Sequence, residues 1–301
     1  MKAIVTGGSG FLGKYIVREL IKREINTISY DLIQPQHDEL YKNESFQYIE
    51  GDILDYDLLK STIKDCDYVF HTAALANIDE STKKPNDTIE TNIMGTFNCL
   101  EASKNNGVNK FLFASSVYTS GNKGSFYRVS KKTGEMLCKL YYEEYNLDYT
   151  ILKYGSLYGS ESNHWNPIYL ICKDILTKGH CYYGNSPEAV REYIHILDAA
   201  RETVSIALGN NFINKTVLIS GHQRIKIKEL FDMIEEILGK TIKVEYGFKK
   251  DNKHYTLTPY NFDEDVPLRI NLSNYVDISE GIVDCLRSVK EEISGFDKFK
   301  R

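Results

Sequence analysis

The sequence predicts an α/β fold in which a doubly wound parallel sheet is followed by a smaller C-terminal lobe. Three observations support this. Short apolar runs alternate with segments of helical periodicity through the first half of the chain. A glycine-rich turn joins the first apolar run to the first helix. Small and polar residues follow the successive runs, at the carboxyl ends of parallel strands where such sheets bind ligands.

The first strand, Lys2–Thr6, enters the glycine-rich turn and leaves it as a helix. Without a Cβ atom, Gly7 can make the tight bend, Gly10 lets backbone N–H groups approach a pyrophosphate, and Gly13 lets the helix pack closely on the strand. The N-terminus of that helix adds positive potential at the same place. The turn therefore predicts a dinucleotide site of the Rossmann type.

A second strand, Asn26–Tyr30, ends at Asp31, about twenty residues beyond the turn. A carboxylate there can accept hydrogen bonds from both ribose hydroxyls of an adenosine, and it repels a 2′-phosphate. NAD is therefore favoured over NADP as the cofactor.

Residues at later strand ends extend the predicted cofactor site. Further strands are predicted over Phe46–Ile49, Tyr68–His71, Val108–Ser116 and Tyr149–Tyr154. After the first of these, Asp52 is placed to bond an adenine amino group and Ile53 to cover its face. After the second, the small side chains of Ala73 and Ala74 leave space for a cofactor.

The domain organisation follows from the position at which the alternation of strands and helices stops. Residues 1–155 form the predicted NAD-binding domain, and residues 190–219, read as a strand, a helix and a strand, return to it. Residues 156–189 and 220–301 form the predicted substrate-binding lobe. A helix is expected over Pro167–Lys178, and another over Ile227–Leu238.

Composition narrows the function classes. The 301 residues carry a net charge of −5, with no basic stretch that suits nucleic acid. The six cysteines lack CxxC spacing and the seven histidines lack clustered metal-ligand spacing, so we expect reduced cysteines and no metal. Met1 leads directly into the first strand and no apolar run reaches membrane-spanning length, so we expect a cytoplasmic protein without membrane association.

The chemistry is predicted at Ser116, Tyr127 and Lys131. Tyr127 and Lys131 are one helical turn apart, so their side chains share a face. A free tyrosine has a pKa near 10, and a nearby ammonium is expected to lower the pKa of Tyr127 enough for acid–base work. Ser116, at the end of the adjacent strand, can bond the same substrate oxygen. The three residues can shuttle one proton while NAD takes one hydride.

With these motifs in place, the chain resembles the extended short-chain dehydrogenase/reductase superfamily, in its NAD-dependent epimerase/dehydratase branch acting on nucleotide sugars. The resemblance spans nearly the whole chain. It rests on Thr6–Gly13, Gly51–Ile53, His71–Ala74, Asn92 with Gly95 and Thr96, Phe113–Ser116, Tyr127 with Lys131, Leu152–Gly159 and Arg191–Asp198.

The resemblance implies roles for individual residues. Ser116, Tyr127 and Lys131 would be catalytic, and Arg191 would bind the diphosphate of the substrate. Ser156, which stands where many UDP-sugar epimerases have Asn, is an expected substrate residue, and Tyr118 either lines the substrate pocket or packs in the fold. The expected cofactor-binding residues are Gly7, Gly10, Phe11, Leu12, Gly13, Asp31, Asp52, Ile53, Ala73, Ala74, Asn92, Lys131 and Tyr154. A homodimer is expected because helices matching those around Ile89–Lys104 and Tyr127–Tyr145 pair between subunits in the family.

The expected activity is NAD-dependent hydride transfer at C4 of a nucleotide-diphosphate sugar. It would be an epimerase or a 4-dehydrogenase, and a GDP-linked sugar of surface-polysaccharide synthesis is one candidate substrate. Sugar 4,6-dehydratases place an Asp-Glu pair after the catalytic Ser or Thr, where this chain has Val117 and Tyr118, which disfavours dehydration. The alternatives left open are such a dehydratase and a non-catalytic NAD-binding regulatory protein.

Overall fold

The computed structural model describes residues 1–35, 42–247, 253–257, 267–272 and 274–298, with side chains up to 295. Its main feature is an all-parallel sheet of eight strands. Its strands are β1 (Lys2–Thr6), β2 (Asn26–Asp31), β3 (Phe46–Glu50), β4 (Tyr68–His71), β5 (Lys110–Ser116), β6 (Tyr149–Tyr154), β11 (Lys215–Ile219) and β14 (Leu268–Arg269). Their order across the sheet is β3-β2-β1-β4-β5-β6-β11-β14. The predicted doubly wound sheet is confirmed.

Helices connect these strands. In the first half of the chain they are α1 (Phe11–Lys22), α2 (Tyr56–Ile63), α3 (Ile78–Lys83), α4 (Pro85–Ile89), a π-helical turn (Glu90–Met94), α5 (Gly95–Asn105), a 3-10 turn (Val117–Ser120) and α6 (Ser125–Tyr145). The single helix that the apolar spacing after Pro85 predicts is thus interrupted. The π-helical turn changes the helical phase, so Ile89 and Phe97 are exposed while Leu100 is buried.

The remaining elements are shorter. The strands are β7 (Ser156–Tyr158), β8 (His180–Tyr183), β9 (Val190–Arg191), β10 (Tyr193–His195), β12 (Ile225–Lys226) and β13 (Lys243–Tyr246). The helices are α7 (Pro167–Lys178), α8 (Ile196–Leu208), α9 (Ile227–Leu238) and α10 (Ile278–Lys298). β7 pairs with β10, β9 with β12, and β8 with β13, each in a two-stranded sheet.

The chain divides into two compact units. The first contains Met1–Tyr154 and Ala199–Ile219, together with β14. The second contains Gly155–Asp198 and most of the described chain from Ser220 onward. Residues 190–198, expected to return with 199–219 to the first domain, lie in the second unit, because their two short strands pair with β12 and β7 rather than with the large sheet.

The parallel strands are buried on both faces. Every residue of β5 and β6 is buried, as expected for the centre of such a sheet. One core packs α5 and α6 against this sheet, and a separate core in the second unit gathers α7, α9 and α10. All six cysteines are buried and none forms a disulfide. The polar, proline-bearing segment Gln34–Asn43 predicts a loop and the charged run Lys298–Arg301 a solvated tail, and residues 36–41 and 299–301 of these segments lie outside the described residues.

Candidate active site

The glycine turn has the shape that its sequence predicts. Gly7 has a φ of +71°, and a Cβ atom there would lie 2.6 Å from the backbone nitrogen of Ala73. A Cβ atom on Gly13 would lie 2.0 Å from the carbonyl oxygen of Gly7. Gly10 caps α1 without a side-chain acceptor, so the helix N-terminus, where Phe11 and Leu12 follow, keeps its capacity to bind an anion.

Asp31 ties this turn to the end of β2. Its Oδ2 accepts a hydrogen bond from the Ser9 backbone N–H at 2.9 Å, and its Oδ1 accepts one from Ile33 at 3.1 Å. Each oxygen keeps a second lone pair for a ribose hydroxyl. The Ser9 hydroxyl is buried and has no hydrogen-bond partner among the described residues. The turn, the acid and this polar atom together fit a dinucleotide.

The residues that follow β3 and β4 differ in how much of each side chain is exposed for contact with a cofactor. Asp52 Oδ1 accepts from the backbone N–H of Leu54 at 2.9 Å. Ile53 is buried in the sheet–helix core, where a Cβ atom on Gly95 would lie 2.3 Å from its Cδ1. The Ile53 side chain therefore packs against α5, and its expected contact with an adenine stays a prediction. Ala73 and Ala74 are both half-buried.

Asn92 acts as a clamp on the segment after β4. The residue lies in the π-helical turn and is buried. Its Oδ1 accepts from the Leu75 N–H at 2.8 Å, and its Nδ2 donates to the Leu75 carbonyl at 3.1 Å and to the Ser130 hydroxyl at 2.9 Å. Asn92 thus connects the chain beside Ala74 to α6, the helix that carries Tyr127 and Lys131.

Ser116 and Tyr127 are brought together as the sequence predicts. Ser116 ends β5 and is buried, and its side chain hydrogen-bonds that of Tyr127. Its Oγ also accepts from the Tyr118 N–H at 3.3 Å. Burial raises the pKa of Tyr127 to about 12, although the hydrogen bond with Ser116 opposes this shift. The expected lowering of the Tyr127 pKa by Lys131 is wrong for this conformation, because desolvation dominates.

Lys131 turns toward the sheet instead. Its side chain is buried, and Nζ donates to the carbonyl oxygen of Ala114 at 2.8 Å and lies 5.0 Å from the centre of the Phe113 ring. Burial lowers its pKa to about 8, while the negative charge of Glu135 acts in the opposite direction. At neutral pH the ammonium form still predominates.

Two further expected residues have defined partners in the first unit. The Tyr154 hydroxyl shares a 2.6 Å hydrogen bond with the Thr203 hydroxyl on α8, and burial raises its pKa. The Tyr118 ring packs over Gly124, where a Cβ atom would lie 2.9 Å from its Cδ1. The Tyr154 hydroxyl is therefore bonded to α8, whereas Tyr118 is half-buried, so part of its side chain is exposed to solvent.

In the second unit, Arg191 lies in an aromatic cluster. Its guanidinium stacks 4.4 Å from the centre of the Tyr255 ring, its Nη1 donates to the Val190 carbonyl at 2.9 Å, and its side chain bonds that of Tyr183. The Tyr255 hydroxyl lies 3.3 Å from the Ser156 Oγ. Two of the expected substrate residues, Arg191 and Ser156, are thus joined through a tyrosine.

In the part of the chain that the structure describes, the histidines form no metal-like arrangement. His71 is fully buried between the hydroxyls of Thr6, at 2.7 Å, and Thr96, at 2.9 Å, and burial lowers its pKa to about 3. It is a neutral core residue. Within the described chain, no group of three His, Cys, Asp or Glu side chains is placed to hold a metal ion.

Comparison with known proteins identifies the family. The model of the NAD dependent epimerase/dehydratase family matches residues 3–216. The chain belongs to this family.

Relatives within the family are distant in sequence and similar in length and fold. The UDP-glucuronate 4-epimerase of Thermodesulfobacterium geofontis is 28% identical over 95% of this chain and 98% of its own. The crystal structure of UDP-glucuronic acid 4-epimerase from Bacillus cereus, in complex with UDP-glucuronic acid and NAD, is 26% identical, with a TM-score of 0.85 over 97% of this chain and all of that one. The UDP-N-acetylglucosamine 4-epimerase of Methanobrevibacter ruminantium M1 is also 26% identical, with a TM-score of 0.82 over 98% of each chain.

Membership of the epimerase/dehydratase family confirms three sequence predictions. The chain is an enzyme of the extended short-chain dehydrogenase/reductase type, its fold is that of the family, and its cofactor is NAD. None of the helices in the described part of the chain is long and apolar enough to span a bilayer.

The sequence reasoning missed residues that support this epimerase-type site. Glu135 and Lys153 are buried behind the end of β5, and Tyr255 stacks on Arg191. Glu135 could have been found, since it follows Lys131 by one helical turn and Tyr127 by two. Tyr255 gives no sequence signal, because its loop position shows no periodicity.

Proposed function

We propose that this enzyme is an NAD-dependent 4-epimerase of a UDP-linked sugar. The observation that carries the proposal is the hydrogen-bonded Ser116–Tyr127 pair, with the buried Lys131 ammonium one turn along the same helix, in a chain whose family uses NAD. The named activities of relatives that align with nearly the whole chain support the UDP-sugar class and the C4 position. They favour a UDP-sugar over a GDP-linked sugar.

The cofactor would be held by the glycine turn and Asp31. Gly7, Gly10 and Gly13 give the backbone approach to the pyrophosphate, and Asp31 binds the adenosine ribose. NAD, when bound, supplies a hydride acceptor that can return the hydride to either face of the same carbon. Ala73, Ala74 and Asn92 would line the cofactor from the end of β4.

Proton transfer is assigned to Tyr127 Oη. As the phenolate, Tyr127 takes the proton of the sugar 4-hydroxyl while the C4 hydrogen leaves as hydride, and it returns the proton when the ketone is reduced. Ser116 Oγ orients the same oxygen, and the Lys131 ammonium supplies the positive charge that favours the phenolate. Because burial raises the pKa of Tyr127 to about 12, these contacts must strengthen once substrate is bound.

The substrate diphosphate would be bound by Arg191. Its guanidinium is held rigid by Tyr255 and Tyr183, so little conformational entropy is lost when it binds phosphate oxygens. Ser156 and Tyr118 are assigned to the same substrate. Elimination is disfavoured, because buried Val117 stands where a dehydratase has an acid and cannot transfer a proton.

The test is product analysis with the NAD-loaded enzyme. It would be incubated with UDP-glucuronic acid, UDP-glucose, UDP-N-acetylglucosamine and a GDP-hexose, and the products followed by mass and NMR. Epimerisation gives an unchanged mass with inverted C4 configuration. Loss of two hydrogens would instead identify a dehydrogenase, and loss of water a dehydratase.

The Tyr127→Phe variant tests the assigned base. Removing the phenol hydroxyl should lower kcat by a factor of about 10² to 10⁴. Tyr141→Phe is the matched control, because that hydroxyl bonds Glu101 away from the site. Normal turnover in Tyr127→Phe would contradict the mechanism.

A further inference from the structure

A buried ionic cluster lies directly behind the end of β5, and the proposed chemistry uses none of its members. Glu135 on α6 is 4% exposed and Lys153 on β6 is 1% exposed. Their charged atoms, Oε1 and Nζ, are 3.7 Å apart. We call this pair, with the hydroxyls of Ser115, Thr119 and Ser120, the Glu135–Lys153 cluster.

The hydroxyls connect this pair to both sides of Ser116. Ser115 Oγ donates to Glu135 Oε1 at 2.5 Å, and Thr119 Oγ1 donates to the same oxygen at 2.8 Å. Lys153 Nζ donates to Ser120 Oγ at 3.1 Å. The residue before Ser116 and the 3-10 turn after it are therefore fastened to α6 and β6.

The same helix carries the assigned base. Tyr127, Lys131 and Glu135 follow one another at four-residue spacing, so they lie along one face of α6. Glu135 thus holds β5 against the helix that carries Tyr127. Ser116 lies in the sequence between Ser115 and Thr119, whose hydroxyls both bond Glu135. Burying two charges costs several kcal/mol before pairing offsets it, and an apolar pair would often be as stable. Stability alone therefore does not account for the cluster.

We propose that Glu135 and Lys153 are positioning residues, which hold the end of β5 and the following turn so that Ser116 stays within hydrogen-bonding distance of Tyr127. This rests on the proposed role of the Ser116–Tyr127 pair in proton transfer. Glu135 acts through Ser115 and Thr119, and Lys153 acts through Ser120 and by neutralising Glu135.

The charges around Lys131 add a second consequence. On α6, the negative charge of Glu135 raises its pKa against the effect of burial, whereas Cys138 is a neutral thiol, since burial raises its own pKa. Across the sheet, His71 on β4 faces it but is neutral, since its own pKa is about 3. Glu135 is itself faced by Lys153 and by Lys132, whose Nζ lies 3.4 Å from Oε2. Neutralising Glu135 should therefore lower the pKa of Lys131.

The test compares Glu135→Gln, Lys153→Met and Lys153→Arg with Lys110→Met. Lys110 is the matched control, since it is also a buried lysine, on β5, but bonds the carbonyls of Ala207 and Gly209 at the other end of the strand. Two measurements are made: hydrogen exchange of the backbone amides of residues 115–120, and kcat and KM against pH with the sugar nucleotide that the wild type converts.

We expect Glu135→Gln and Lys153→Met to lower kcat about 10- to 100-fold with KM nearly unchanged, and to speed exchange across residues 115–120. Glu135→Gln should also move the basic limb of the kcat profile to lower pH. Lys153→Arg should recover most of the activity. Lys110→Met should lower the unfolding midpoint and leave the pH profile and this exchange unchanged.

A purely structural role of Glu135 and Lys153 would contradict the proposal, and the same measurements distinguish it. In that case Glu135→Gln and Lys153→Met would lower the unfolding midpoint as Lys110→Met does, with no change in the pH profile or in exchange over residues 115–120. If Glu135→Gln does not fold, Thr119→Val removes the hydroxyl contacts with Glu135 and with the Ser116 carbonyl and keeps the charge, and it must lower kcat without moving the basic limb. If the wild type converts no sugar nucleotide, the proposed function fails, and the exchange measurement still decides whether the cluster holds the Ser116 segment.

Discussion

At the scale of single residues, the site depends on two opposing influences on one phenol. Burial disfavours the charged form of Tyr127 and raises its pKa, while the hydrogen bond from Ser116 favours the phenolate. Lys131 is subject to the same burial, which lowers its pKa to about 8. Once bound cofactor and substrate bring the Tyr127 pKa below that of Lys131, a rate that requires both the phenolate and the ammonium rises as Tyr127 loses its proton and falls as pH passes the pKa of Lys131.

The Ser116→Ala variant distinguishes the acidic limb of the kcat profile, where the rate rises with pH, from the basic limb, where it falls. The substitution removes a hydrogen bond that lowers the pKa of Tyr127, so that pKa should rise and the acidic limb of the kcat profile should move to higher pH. A hydrogen bond to a charged group contributes about 1.5–3 kcal/mol, which corresponds to roughly a 10- to 100-fold loss of kcat at neutral pH. The basic limb, set by Lys131, should not move. Steady-state kinetics across pH measures both, and an unchanged acidic limb would show that Ser116 does not contact the reacting oxygen.

Asp31 has the corresponding role for the cofactor. Asp31→Asn keeps the size of the side chain but replaces one acceptor oxygen by a donor and removes the charge that repels a 2′-phosphate. We expect the preference for NAD over NADP to fall about 10- to 100-fold, measured by calorimetry on the apo protein. Asp55→Asn is the control, since Asp55 only caps α2 and Asn caps equally well. Equal affinities of wild type and Asp31→Asn for both cofactors would exclude Asp31 from the ribose site.

At the scale of elements, most of the fold follows from periodicity, whereas its local irregularities do not. The strand Tyr149–Tyr154 and the helices Pro167–Lys178 and Ile227–Leu238 have the bounds that their apolar patterns predict. β9 and β10 divide the strand expected over Val190–Ile196, because their pairing partners lie elsewhere in the second unit. A two-residue strand is set by its tertiary partner, which a local pattern cannot contain.

The candidate site was predictable to a similar degree. Ser116 and Tyr127 are joined as expected, because strand end and helix start are both local features. The state of Lys131 was not predictable, since its contact with the Ala114 carbonyl and its burial depend on how α6 packs on the sheet. The direction of the Ile53 side chain was not predictable for the same reason, because its packing against α5 sets it.

The π-helical turn gives a prediction at this scale. It places Asn92 where three side-chain hydrogen bonds reach Leu75 and Ser130, so Asn92→Ala removes these bonds from the half-buried Leu75 backbone and from the Ser130 hydroxyl. We expect a loss of about 1–3 kcal/mol in the free energy of unfolding, with faster amide exchange over residues 73–77. Asn98→Ala, which loses a single bond to the Ile53 carbonyl, is the control and should cost less. Equal destabilisation by the two variants would argue against a clamp.

At the scale of the whole molecule, an exposed apolar stripe on α6 calls for a partner. Val129, Met136 and Leu140 lie along one side of the helix at spacings of seven and four, and they are 52%, 63% and 46% exposed. Phe97 on α5 is also exposed, and its ring packs edge-on against Tyr141 of α6 at 6.3 Å. Residues of this kind that are close together on neighbouring helices are typical of an interface.

We propose that a second copy of the chain covers this stripe, so that α5 and α6 of two subunits form a homodimer. Leu140→Glu should then convert a dimer to a monomer, because it places a charge where an apolar side chain is buried. Leu170→Glu on α7 is the matched control: Leu170 is 44% exposed but lies in the second unit, and its variant should remain dimeric. Sedimentation velocity distinguishes the two states directly. A wild-type monomer across the assay concentrations, or a Leu140→Glu dimer, would exclude the stripe as the subunit interface. Tyr127 and Lys131 lie in the first turns of the same helix. A monomeric Leu140→Glu variant with unchanged kcat would therefore show that each subunit positions its own base.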